Sequence, residues 1–195
     1  MNRAQYRQLY DFCQTLNPKV SRKVIVPKTV EITGTTKVRT IMTSIDTKVS
    51  RGYFLSCKNV EHQFVRDLGH DVIVLARGMN KCWERFVNTK ELMHLFDDDA
   101  EKTDSPEKFV ELLSDFEAAP DDLSPQARSD AKGVWMALAC LCPENRRLEF
   151  QALRAKARID NYKIALELRI PEYYVPWLFN KEYRKTIDEL IRDDH

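Results

Sequence analysis

Residues 70–96, HDVIVLARGMNKCWERFVNTKELMHLF, read in order as a strand, a turn and a helix, and any fold for this chain has to be built around that unit. The strand runs from His70 to Ala76, Arg77-Gly78 turns the chain, and a helix follows from about Asn80 to Phe96. Trp83, Phe86 and Val87 recur at helical spacing, and Leu92, Met93, Leu95 and Phe96 extend the packing face. A short helix near residues 4–16 is expected upstream, ended by Asn17-Pro18. Between the two, VSRKVIVP, VEITG, KVRTIMTSID and RGYFLSCKN are rich in β-branched and aromatic residues and read as strands. Downstream, helices are expected over 106–118, 124–141, 144–169 and 181–192. Ser105 would cap the first of these, Pro106 suits its opening turn, and Pro171 closes the long one. The expected class is α+β, mostly helical with a small N-terminal mixed or antiparallel sheet. Without repeats or a long linker, residues 1–195 read as one domain.

Composition narrows the function. Thirty-one Lys and Arg against thirty Asp and Glu leave a formal charge of +1, too little to draw in nucleic acid or an anionic membrane. The charges are segregated, basic from Pro18 to Lys58 and acidic from Asp97 to Asp122, and each patch reads first as a solvated face. Lys19 to Lys28 alternates basic and apolar residues as a half-buried edge strand would. Five cysteines lack the paired spacing of a zinc ribbon or a disulfide scaffold, and Cys140 and Cys142, in the apolar run VWMALACLC, read as core thiols. The polar start of the chain and the absence of a long apolar run lead us to expect a cytoplasmic protein that does not enter membranes.

The segment with chemical content is Lys90-Glu91-Leu92-Met93-His94. In HExxH the two histidines share a helix face and hold one zinc, while the glutamate takes a proton from metal-bound water. Here the glutamate and second histidine are present, but Lys90 stands at the first histidine's position, and a protonated lysine has no lone pair for a metal. Asp97, Asp98, Asp99, His62 and His70 are the other residues that could complete a nonstandard site; Asp97 and Asp98 follow His94 by three and four positions. The aromatic residues Tyr173, Tyr174, Trp177 and Phe179, after Pro171, read either as packing for the last helix or as a peptide-binding lip.

Strand HDVIVLA, the pair Arg85-Phe86, the helix VNTKELMHLF and the later DNYKIALELRIP together resemble the ImmA/IrrE family of zinc metallopeptidases over roughly residues 45–171. The resemblance implies a zincin-like fold, with Glu91 as general base, His94 as second zinc histidine and Asp160 as acidic ligand. It also implies packing roles for Ala165 and Ile170-Pro171. Lys90 in place of the first ligand implies an impaired or noncatalytic site with no zinc, its ammonium paired with Asp160 or Glu91. In that case the chain would bind a regulatory protein or peptide in a bacterial or phage setting, where active relatives cleave repressors. The alternative is a divergent zinc-dependent endopeptidase using Glu91, His94, Asp160 and one further ligand.

Overall fold

The computed structural model describes residues 1–16, 20–48, 50–102, 105, 108 and 124–192. In chain order it contains α1 (Arg3–Gln14), α2 (Arg22–Thr33), β1 (Val38–Thr43), β2 (Gly52–Leu55), α3 (Gln63–Leu68), β3 (Asp71–Ala76) and α4 (Lys81–Leu92). A 3-10 turn, Met93–Phe96, prolongs α4. Then come α5 (Pro125–Leu141), α6 (Glu144–Ala155), α7 (Asn161–Leu168), a 3-10 segment Glu172–Phe179 and α8 (Tyr183–Ile191). Of the expected helix over 106–118 only Lys108, in helical conformation, is among the described residues; the rest lies outside them, as does His195.

The sheet has three strands in the order β1-β3-β2, with β1 parallel and β2 antiparallel to the central β3, so it is mixed. All six residues of β3 are buried, and their alternation divides the interior in two. Ile73 and Leu75 point into the main core with α1, α4, α5 and α8; Val72 and Val74 join Leu55 and Val65 in a smaller cluster that α3 covers. Tyr6, Phe86, Phe96 and Phe150 are almost fully buried in the main core, each worth about 1.5–3 kcal/mol relative to exposure. β2 comes so close to β3 that a Cβ on Gly52 would meet the Val74 carbonyl oxygen and Val87 Cγ1, both at 2.7 Å. No helix among the described residues is long and apolar enough to cross a membrane.

Two sequence expectations are corrected. Residues 22–33 form helix α2, not two strands. Ser21 caps its start, Gly34 ends it in the left-handed region at φ 69°, and Ile25 and Thr29, one turn apart, are fully buried. The β-branched residues yield to that packing, and the hydroxyls of Thr29 and Thr33 donate to the carbonyls four residues back. Pro27 lies inside the helix and leaves one carbonyl without its amide partner. Second, residues 144–169 are two helices rather than one. Ala157 turns left-handed at φ 51°, and Asp160 restarts the helix by accepting the Lys163 amide N–H at 2.8 Å.

Candidate functional site: a lysine-filled metallopeptidase-like centre

The site forms where α4 packs against α5. Asn80 starts α4, its side-chain oxygen accepting the amides of Cys82 and Trp83 at 3.0 Å. Phe86, Val87 and Leu92 anchor its buried face, so Lys90 and Glu91 emerge between the two helices. The tighter 3-10 turn after Leu92 carries His94 back beside them. Ser124 caps α5, and Gly133 faces the Lys90 stem, where a methyl group would sit in ordinary contact 3.6 Å from Lys90 Cγ.

Lys90 Nζ donates to Glu91 Oε1 at 2.9 Å and to Asp130 Oδ1. His94 Nε2 faces Glu91 Oε2 at 3.6 Å and Asp130 Oδ1 at 3.7 Å. On the other side of the ring, Nδ1 meets Asp97 Oδ2 at 2.7 Å, and Asp97 Oδ1 accepts from the Ser129 hydroxyl at 2.5 Å. Phe54 of β2 stacks on the imidazole at 6.1 Å between ring centroids. Glu91 is 1% exposed, whereas the Asp130 side chain is 44% exposed, so the cluster opens to solvent on the Asp130 side.

The charges reinforce one another. Burial disfavours the Lys90 ammonium, yet Glu91 and Asp130 outweigh it and push its pKa above the usual lysine range. Burial also disfavours the His94 imidazolium, but Asp130 and Asp97 overcome this and raise its pKa to about 10. Burial raises the Glu91 carboxyl, with Lys90 and His94 opposing the shift. Asp130 is held well below the ordinary carboxylate range: partial burial would raise it, but Lys90 and then His94 win.

Glu91, His94 and Asp130 each place a potential ligand atom within 4.8 Å of the others. Together with Lys90 they make a degenerate HExxH-type arrangement in which lysine replaces the first histidine. Zinc does not fit it as it stands. The Lys90 ammonium bonds two of the three donors, supplies the cation that their carboxylates require and has no lone pair to offer a metal. The substituted first ligand is consistent with impaired peptidase activity.

Of the residues singled out in the sequence, Lys90, Glu91 and His94 come together, and the expected Lys90–Glu91 contact is present. The expected Lys90–Asp160 pair is not: Asp160 is exposed and caps α7, and Asp130 of α5 supplies the second carboxylate. The helix break at Ala157 assigns Asp160 to that capping role. Asp97 does approach His94, but from the Nδ1 side, where it orients the ring. Asp98 turns to the Met1 ammonium and Asp99 to Lys58 and Lys102. His62 caps α3 on the other sheet face, and His70 precedes β3. Arg85 donates to the carbonyls of Val20, Leu168 and Arg169, tying α4 to the end of α7; burial and Arg169 lower its pKa to about 10. Tyr174 stacks on Phe86 at 4.2 Å and contacts Trp83 and Trp177, whereas Tyr173 is 68% exposed.

Sequence reasoning missed Asp130 and Ser129. Their signal is faint: Gln126, Ser129 and Gly133 interrupt a helix face that continues as Met136, Ala137 and Cys140. Comparison with known protein families, curated proteins and solved structures finds no match to this chain.

Proposed function

We propose that this chain is a noncatalytic metallopeptidase-like protein that acts by binding a regulatory protein or peptide. The reading extends to descent from ImmA/IrrE metallopeptidases, a bacterial or phage setting, the cytoplasm, and one domain spanning residues 1–195. The observation that carries it is the Lys90 ammonium between Glu91 and Asp130, where active relatives would hold a metal ion. Glu91, the general base of such an enzyme, is here the partner of a protonated amine. What supports binding is the aromatic surface of the exposed Tyr173 and the half-buried Tyr174 and Trp177, beside a site that holds an ion pair.

Elemental mass spectrometry on protein purified without a metal-affinity tag is expected to find no bound zinc, before or after incubation with zinc. Near-stoichiometric zinc that disappears in His94→Ala would overturn the proposal and favour a divergent zinc-dependent endopeptidase with Glu91, His94 and Asp130 at its metal. The converse substitution, Lys90→His, restores the motif HELMH, and the new imidazole joins His94 and Asp130 as a third donor. That variant is expected to gain near-stoichiometric zinc, read by the same measurement.

A further inference from the structure

Trp135 of α5 and Pro176, Trp177 and Asn180 of the C-terminal segment line a groove of about 380 Å³. The Trp135 and Trp177 rings are 4.9 Å apart between centroids and tilted by 43°. That spacing is contact, with no room for a cation between them. The aromatic surface runs on through the half-buried Tyr174, 5.6 Å from Trp177, while Tyr183, 6.2 Å from Trp135, backs it from the core. It is therefore a shelf on which flat apolar groups can lie.

The side-chain polar groups of the four lining residues have one character. Neither indole N–H has a hydrogen-bond partner among the described residues, and an indole can only donate. The side-chain oxygen of Asn180 already accepts the Glu182 amide at 2.9 Å, which leaves its NH₂ group as a donor. The lining side chains thus offer aromatic faces and donors, and their one acceptor is engaged. A matching ligand carries carbonyl acceptors, few N–H groups and compact apolar rings. Proline-rich backbone meets all three conditions: proline has no N–H, its ring packs on aromatic faces, and its extended helix is formed before binding.

Charge at one end of the shelf adds a direction. Tyr174 stacks on Phe86, one turn before Lys90 on α4, and lies close enough to the cluster to feel the charges of Lys90 and Asp130. The shelf therefore runs up to the ion cluster on the solvent-open Asp130 side. Asp130 meets Lys90 and His94 through Oδ1 with its side chain 44% exposed, and the cluster sets two cations against the three carboxylates of Glu91, Asp97 and Asp130. A basic side chain is favoured at that end and a phosphate is not.

We infer that this groove binds an extended proline-rich peptide with a lysine or arginine at the end next to Asp130. The inference rests on the binding reading above and names the chemistry of the partner.

The probe is an acetylated octaproline peptide ending in lysine amide, titrated into the full chain while the indole N–H resonances are followed by NMR. Saturable shifts of the Trp135 and Trp177 indoles are expected. Trp177→Phe keeps a ring but removes a donor, and should weaken binding roughly threefold to tenfold, the equivalent of one hydrogen bond. Exchanging the terminal lysine for glutamate should also weaken binding, and Asp130→Asn should remove that difference. Unmoved indoles at millimolar peptide, or equal shifts with a glycine-serine peptide of the same length, would overturn the inference. So would a response to oligothymidylate but not to the peptide, and equal affinity for the lysine and glutamate peptides would overturn the assigned direction. Zinc in the wild-type protein would sink the binding reading whatever the peptide does; a zinc-free protein that ignores the peptide sinks this inference alone.

Discussion

Lys90 forms an ion pair at the position where an HExxH motif has its first metal ligand, and stability therefore depends on residues that such a motif uses for chemistry. Glu91 is 1% exposed, so removing Lys90 leaves a buried carboxylate with only His94, at 3.6 Å, to offset it. Lys90→Ala is expected to cost roughly 3–5 kcal/mol in urea denaturation. Adding Glu91→Gln should recover most of that loss, and losses that simply add would show that the two side chains are not coupled. His94 gives a pH signature. Its folded pKa of about 10 lies above the ~6.5 of an unfolded imidazole. Its stabilisation is therefore complete below about pH 6.5 and is lost as pH rises through about 10. The unfolding free energy should fall across that interval in the native chain and fall less in His94→Gln. Asp130, whose pKa is depressed, contributes on the acid side: its stabilisation is present above about 3.9 and lost as pH falls below it.

Helix α4 and strand β2 hold these residues in place, and two glycines test how tightly. Gly52 has no space for a Cβ because β2 is pressed against the Val74 backbone and Val87. Gly52→Ala should destabilise by about 1–3 kcal/mol and, through the neighbouring Phe54, loosen the ring stacked on His94. Gly133 lies inside α5, where a Cβ would be 3.5 Å from the Lys90 carbonyl oxygen, an ordinary contact. Gly133→Ala should therefore raise stability by roughly 0.5–1 kcal/mol, since alanine loses less backbone entropy in a helix. Opposite signs in thermal or urea unfolding are the expected outcome; two losses would mean that α4 and α5 pack more tightly than these distances imply. α2 gives the contrasting lesson. Val, Ile and Thr between residues 22 and 33 suggest strands, but the buried Ile25 and Thr29 recur at helical spacing, and packing overrides propensity.

Across the protein, the two-sided burial of β3 sets a main core against a smaller one and leaves the cysteines in different surroundings. Cys13, Cys140 and Cys142 are buried, Cys82 is half-buried and Cys57 is exposed, all as free thiols. Under native conditions a thiol reagent followed by mass spectrometry should label Cys57 first. That reaction should speed up with pH, because burial and Asp71 hold the thiol above its usual pKa. Cys13, Cys140 and Cys142 should label only as the main core opens, so early labelling of all three would contradict the packing described. The strand, turn and helix of residues 71–92 and the lysine substitution could be read directly from the chain, because apolar periodicity and an HExxH-like spacing are local properties. The Asp130 partner could not. Asp130 and Asp160 are both acidic residues downstream of the motif, and local pattern cannot rank them. Asp130 became the partner of Lys90 because α5 packs on α4 through Gly133, and Asp160 became a helix cap because the backbone reverses at Ala157. Local spacing sets which side chains share a helix face, while a contact between residues forty positions apart exists only once two helices have buried their apolar sides together.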